Sequence, residues 1–311
     1  MPRVAAVQLA PVVGKLAENQ DAASAAIAAS IRDGAQIVVL PELATSGYVF
    51  ESEEEARSVA IPADSDVFGV WAQLASERAG AVVIAGFAEL GNDDVVYNSA
   101  AVVDASGVLG VYRKAHLWDK EKNIFTPGSA APLTVDTAHG RVGVKICYDL
   151  EFPEWTRLSA LSGIDILGVP TNWPLVERPV GERIPEVQIG VAAARVNRIA
   201  VVCADRAGTE RGVAWSEGTT IIGADGWIID AVGAGVGTAW AEIDLTASRD
   251  KRLTDLSHVL DDRRPGLYSA LGQDAFEAQG QAMRYPMKDG VVLYKGLRQA
   301  LKYETRHLVH F

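Results

Sequence analysis

Two cysteines in 311 residues give no disulfide framework, so the fold must rest on a buried core, and a reducing cytoplasm is the expected compartment. Basic residues are also in the minority. With 29 Lys and Arg against 40 Asp and Glu, the net charge is −11, which argues against nucleic acid or an anionic membrane as partner. No stretch reaches the roughly 18 uncharged apolar residues that a membrane span needs. The opening run Met1 to Pro11 has no apolar core long enough for a signal peptide. No Ser/Pro/Gly linker divides the chain, and no close Cys/His spacing suggests a zinc site. The glycines form no phosphate-binding fingerprint. No metal, nucleotide or other cofactor is therefore implied.

What is present is a chain 49% hydrophobic, long enough for one large α/β domain or two small ones. Arg3 to Ala10 reads as a buried strand, and Asn19 to Arg32 as an Ala-rich helix stopped at Gly34. Gln36 to Leu40 is a continuous β-branched run, the pattern of a strand covered on both faces. Asp66 to Arg78 is a second helix. Strands follow at Ala81–Phe87, Tyr97–Asp104 and Val108–Arg113, then at Leu133–Asp136 and Val142–Ile146. Pro153 is placed to open a helix running to Leu161. Ile164–Val169 and Ile199–Ala204 read as strands flanking a helix from about Arg183 to Arg198, and 218–231 as a hairpin. A last strand runs from Gly237 to Ile243. Alternating strands and helices, interleaved with hairpins, indicate a mixed-sheet α/β domain.

Three of these strands end in reactive side chains: Glu42, Lys114 and Cys147. A glutamate just past a buried strand is uncommon, because an unpaired carboxylate there costs several kcal/mol or takes up a proton. A cysteine at the C-terminal end of a strand, where a loop leads into a helix, sits where α/β proteins usually hold ligands. An isolated cysteine can equally be a small buried hydrophobe. A shared sheet rim would bring the three together despite their separation along the chain.

At these residues the sequence resembles the nitrilase superfamily of carbon–nitrogen hydrolases. The matching stretches are Leu40-Pro-Glu42-Leu with Gly47-Tyr48, Tyr112-Arg-Lys114-Ala-His116-Leu, and Gly143-Val-Lys-Ile-Cys147-Tyr-Asp with Phe152-Pro-Glu154. Phe125-Thr-Pro-Gly128 and Ala193-Ala-Arg195-Val-Asn197 add to them. The resemblance covers about residues 3 to 268. It implies a four-layer αββα sandwich with two mixed β-sheets over residues 1–270; residues 271–311 lie outside it and read by composition as an appended arm or a frayed extension. It implies Cys147 as nucleophile, Glu42 as general base, Lys114 as electrostatic stabiliser and Glu121 as a second, substrate-positioning glutamate. Tyr48, Tyr148, Asn172 and Trp173 are the expected substrate contacts, with the Tyr148 N–H facing an oxyanion.

The chemistry of the residue types agrees: a thiol attacks as thiolate and needs a proton acceptor and a cation beside it. Asp149 and Glu154 are expected to fix the loop and helix, and Cys203 to be inert core. Tyr-Asp after Cys147, where nitrilases of the family usually carry Trp-Glu, points to amide or carbamoyl hydrolysis, and an amidase acting on a small neutral amide is the first expectation. Glu151 stands where relatives that take acidic amides often carry an arginine, which disfavours an anionic substrate and suggests a neutral or cationic one. A nitrilase or N-carbamoyl-amine hydrolase is the alternative enzyme, and a catalytically silent scaffold the alternative from another class. The resemblance also implies a homodimer or larger oligomer, paired through the helices near the cysteine and the C-terminal segment.

Overall fold

The computed structural model describes residues 1–272 together with 287–288 and 291–292. Met1–Asp261 form one compact unit, and a second begins at Asp262. The expectation for residues 271–311 falls, beyond Gly272, outside the described residues except for the paired strands Met287–Lys288 and Val291–Val292.

The first unit holds two six-stranded mixed sheets. The strands of the first five positions are β1 (Arg3–Gln8), β2 (Ile37–Val39), β3 (Val82–Leu90), β4 (Val96–Asp104) and β5 (Gly107–Arg113). Next come β6 (Thr134–Thr137), β7 (Gly140–Val144), β8 (Ile166–Pro170) and β9 (Ala200–Ala204). A small pair, β10 (Thr209–Glu210) and β11 (Val213–Ala214), precedes β12 (Thr220–Ile222), β13 (Ile228–Ala231) and β14 (Gly237–Glu242). The first sheet runs β14-β1-β2-β3-β4-β5 and the second β13-β12-β9-β8-β7-β6. Each has a parallel trio at its centre, β1-β2-β3 and β7-β8-β9. Helices make the parallel crossovers: α1 (Leu16–Arg32) and α3 (Asp66–Ser76) in the first half, α4 (Pro153–Leu161) and α5 (Pro185–Asn197) in the second.

Period-two alternation sorts the side chains into layers. Val4, Ala6, Ile37, Val39 and Ile84 join the core between the sheets, alongside Leu167 and Val169. Their neighbours Ala5, Val7, Val38 and Leu40 turn the other way, onto Ile27 and Ile31 of α1 and Phe68 and Trp71 of α3. Each fully buried aliphatic side chain contributes about 1.5–3 kcal/mol. The sheets touch closely: a Cβ on Gly168 would lie 2.6 Å from Ile84 Cδ1. The expected αββα sandwich is the architecture found.

Most elements fall within a residue or two of the sequence reading. An additional short helix, α2 (Glu53–Ser58), carries no apolar periodicity; its signal is the cap, with the Ser52 hydroxyl accepting the Glu55 N–H at 3.2 Å. The loop after Lys114 contains a 3₁₀ turn, Asp119–Asn123. For the site, direction matters most. β2, β5, β7 and β8 deliver Glu42, Lys114, Cys147 and Asn172 just beyond their C-terminal ends.

Candidate active site

Past β7 the chain turns on Cys147, whose φ is +47°. A non-glycine residue held in the left-handed region costs on the order of 1–3 kcal/mol and persists only where its surroundings enforce it. Here the enforcing group is Asp149, which is fully buried. Its carboxylate accepts the Ile146 N–H (3.1 Å), the His116 N–H (3.0 Å) and the Tyr112 hydroxyl (2.7 Å), and lies 2.7 Å from His116 Nδ1. His116 stacks on Phe152 at 3.8 Å, and Trp155 Nε1 donates to the Tyr112 hydroxyl at 2.9 Å. Asp149 thus ties the end of β5 to the cysteine turn. Pro153 opens α4 immediately afterwards. Cys147 is 5% exposed, and its sulfur sits 3.9 Å from the Asn172 carbonyl.

Glu42 and Lys114 are completely buried. Lys114 Nζ donates to Glu42 Oε1 and to Glu121 Oε1, both at 2.7 Å. Glu42 Oε1 also accepts the Asn98 side-chain amide at 2.7 Å, whereas Oε2 has no hydrogen-bond partner among the described residues. Asn172 donates its side-chain N–H to the Glu42 carbonyl at 2.8 Å, linking β8 to the β2 loop. Glu121 Oε1 also accepts the Tyr48 hydroxyl, and its Oε2 takes the Trp118 N–H at 3.1 Å. The fold therefore gathers the acid, the ammonium and the second glutamate into one hydrogen-bonded group, with the thiol close enough to feel all three charges.

Burial pushes the Glu42 carboxyl up to about 7, opposed by the Lys114 ammonium and assisted by the nearby Glu121 carboxylate. Burial alone would drive Lys114 down, but Glu121 and Glu42 outweigh it, so its pKa lies above the usual lysine value. The Cys147 thiol is pushed well up, by burial and then by Glu42, with only partial relief from Lys114. Burial raises Tyr48 too, so it stays a phenol that donates to Glu121. The resting group is thus a neutral thiol, an ammonium and a carboxyl balanced between its two forms.

The other expected contacts take varied places. Tyr148 is half-buried, its ring edge-on to Trp118 at 4.8 Å and to Phe152 at 5.1 Å. Trp173 is 3% exposed, packs against the Gly218 backbone, and donates its N–H to Asp205 Oδ1 at 3.0 Å. Glu154 is exposed in the first turn of α4. Cys203 is fully buried in β9.

Sequence reading passed over three residues that shape this group. Asn98 stands at the start of β4 and shares Glu42 Oε1 with Lys114; a polar side chain within an otherwise apolar strand was its signal. Glu210 accepts the N–H groups of Val13 (2.8 Å), Tyr48 (2.9 Å) and Val49 (2.7 Å). Arg206 neutralises it through two hydrogen bonds of 3.0 and 3.1 Å and covers the Trp215 ring at 4.6 Å. Glu210 and Arg206 so fix the loop carrying Tyr48. Nothing in local sequence marks that pair, whose partners lie across the chain.

Comparison with known proteins agrees with this architecture. The profile of the family described as carbon-nitrogen hydrolase matches residues 3–252. A nitrilase from Pyrococcus abyssi is 35% identical over 271 residues, covering 86% of this chain and 99% of the relative. An N-carbamoylputrescine amidase from Solanum lycopersicum is 31% identical over 292 residues, covering 86% and 94%. Among solved structures, an amidase from Nesterenkonia sp. AN1 superposes with a TM-score of 0.70 at 24% identity, covering 87% of this chain and 100% of that one.

Proposed function

This chain belongs to the carbon–nitrogen hydrolase family, and from that premise we propose that it hydrolyses the ureido group of a small N-carbamoyl amine through Cys147. The observation that carries the reading is Lys114 clamped between Glu42 and Glu121 while Glu42 Oε2 stays buried with no hydrogen-bond partner among the described residues. As the sulfur attacks the carbonyl carbon, Oε2 receives its proton; a base poised near 7 suits that transfer at neutral pH. The Lys114 ammonium and the Tyr148 N–H, at the first position of the turn after Cys147, face the developing oxyanion. The proton then goes to the leaving nitrogen, ammonia departs, and an S-acyl enzyme remains. Glu42 next deprotonates water, which displaces the sulfur, and the released carbamic acid loses CO2 to give the amine.

Choosing a ureido head over a simple amide departs from the first expectation of the sequence. The support is twofold. A buried acceptor with no donor favours a substrate rich in N–H groups, and a relative matched over 94% of its length is named for an N-carbamoyl amine. A nitrile is the second reading, because the relative named a nitrilase matches over 99% of its length at 35% identity. An N-alkylurea, the matching nitrile and the matching amide, each assayed for ammonia and CO2, separate the three. Ammonia with equal CO2 from the urea, lost in folded Cys147→Ala, is the expected result. Turnover of none of the three would leave a silent scaffold as the better account.

A homodimer in the cytoplasm belongs to the same proposal. Leu158 and Leu161 of α4 and Val196 of α5 are exposed near the cysteine turn, on the helices through which the resemblance implies pairing. No helix among the described residues is long and apolar enough to cross a membrane.

A further inference from the structure

A cavity of about 300 Å³ lies against the reactive group, walled by Tyr48, Phe50, Trp118, Phe125, Val213 and Trp215. Glu121 forms part of the same wall and is the residue that holds Lys114. Pro174, also on the wall, follows Asn172, whose carbonyl lies 3.9 Å from the Cys147 sulfur. Trp118 closes the remaining side through its ring contact with Tyr148. A substrate bonded to Cys147 therefore has this cavity next to it.

The charge inside the cavity is already used. Glu121 spends Oε1 on Lys114 and Tyr48, and Oε2 on the Trp118 N–H. Asp119 and Lys120, the other charged wall residues, are exposed and of opposite sign. Among the described residues, neither an ammonium nor a carboxylate on the substrate would find an unpaired counter-charge on the buried wall. The aromatic walls are fixed before any ligand arrives. Tyr48 meets Trp215 edge-to-face at 5.3 Å, and Phe50 meets Phe125 likewise at 6.0 Å. Glu210 holds the Tyr48 and Val49 backbones, and Arg206 covers Trp215. A preformed, largely aromatic cavity rewards an apolar occupant over a charged one.

We propose that this cavity is the specificity pocket and takes a neutral aryl or branched alkyl group carried a few bonds from the reacting carbon. The inference rests on the reading that Cys147 opens a C–N bond, and its test separates the two. N-Methylurea, N-(4-aminobutyl)urea, N-(3-carboxypropyl)urea and N-phenethylurea share one reacting head and differ only in the group offered to the cavity. The matching nitriles and amides form parallel series.

In turnover, the phenethyl compound is expected to exceed the other three in kcat/KM by about tenfold or more, the range typical of filling an apolar pocket. Calorimetry on Cys147→Ala with the same four ureas reads binding without chemistry, and the same order is expected in Kd. Val213→Trp, which fills the cavity, and Trp118→Ala, which opens its exposed edge, should each shrink the phenethyl preference several-fold. Trp118 is 40% exposed, so that variant folds even if the filled one does not. Turnover with the aminobutyl or carboxypropyl compound equal or superior overturns the pocket and leaves the hydrolase reading standing. Phenethyl binding without turnover of any urea, nitrile or amide overturns the hydrolase reading and leaves the pocket. A phenethyl preference unchanged in both variants overturns the assignment to this cavity.

Discussion

Burial pushes the Glu42 carboxyl up to about 7, against the Lys114 ammonium and the Asn98 hydrogen bond, which both pull it down. Its base form therefore accumulates as pH rises through 7. kcat/KM is expected to fall with unit slope below that pH, and a pH–rate profile flat from 5 to 8 would remove Glu42 as base. Glu42→Gln should lower kcat/KM by at least about 100-fold and abolish that limb. The sulfur differs from the simple picture of a cysteine activated by a cation at rest. Burial and the carboxylates keep it a thiol, so its proton leaves only as the bond to carbon forms. Cys147→Ser should fold with unchanged circular dichroism and lose at least about a thousandfold in kcat, since a hydroxyl is too weak an acid for a carboxylate base. Substantial residual activity would argue against attack by sulfur.

Secondary-structure elements place these groups through close backbone approach and buried polar ties. β3 passes the Glu42 loop so tightly that a Cβ on Gly86 would lie 2.5 Å from Glu42 Cα. Gly86→Ala is expected to destabilise the fold by about 1–3 kcal/mol and to cut activity through displacement of Glu42; a thermal melt with a parallel assay checks both. Lys145, two residues before the cysteine, works against stability. It is fully buried, its Nζ has no hydrogen-bond partner among the described residues, and it lies 4.4 Å from the Trp155 ring centre. Burial lowers its pKa to about 7, against partial support from Asp149. Between about 7 and 10.5 the unfolded chain binds the proton and the folded one does not, so stability rises with pH across that window. Below 7 both forms are protonated and the cost is complete. Lys145→Met should therefore stabilise the protein by about 1–3 kcal/mol near neutral pH. The gain should be larger at pH 6 than at pH 9, as denaturant titrations at the two pH values will measure.

For the whole molecule, association is the open arithmetic. Exposed Leu158, Leu161 and Val196 lie on α4 and α5, and a dimer buried there should dissociate when Leu158 and Leu161 become aspartate. Light scattering is expected to read a dimer for the parent chain and a monomer for the variant; a parent monomer contradicts the pairing. The strands and helices were legible from local pattern, and their sandwich from the family resemblance. Runs such as Ile37-Val-Val39 and Ile166-Leu167 are too apolar for anything but strands covered on both faces, and α1 and α3 announce themselves by apolar spacing. The local residues of the candidate site were legible for the same reason, because Glu42, Lys114 and Cys147 each interrupt or end an apolar run where a charge or thiol is costly. Asn98, Glu210 and the walls of the cavity were not. Their roles come from partners far along the chain, such as the 162 positions between Tyr48 and Glu210. Hydrophobic periodicity along the chain determined the layers and which residues reach the rim. Only packing of the two sheets decided which oxygen of Glu42 stays open, that the sulfur rests protonated, and that an apolar chamber stands beside it, because desolvation and pairing depend on neighbours in space.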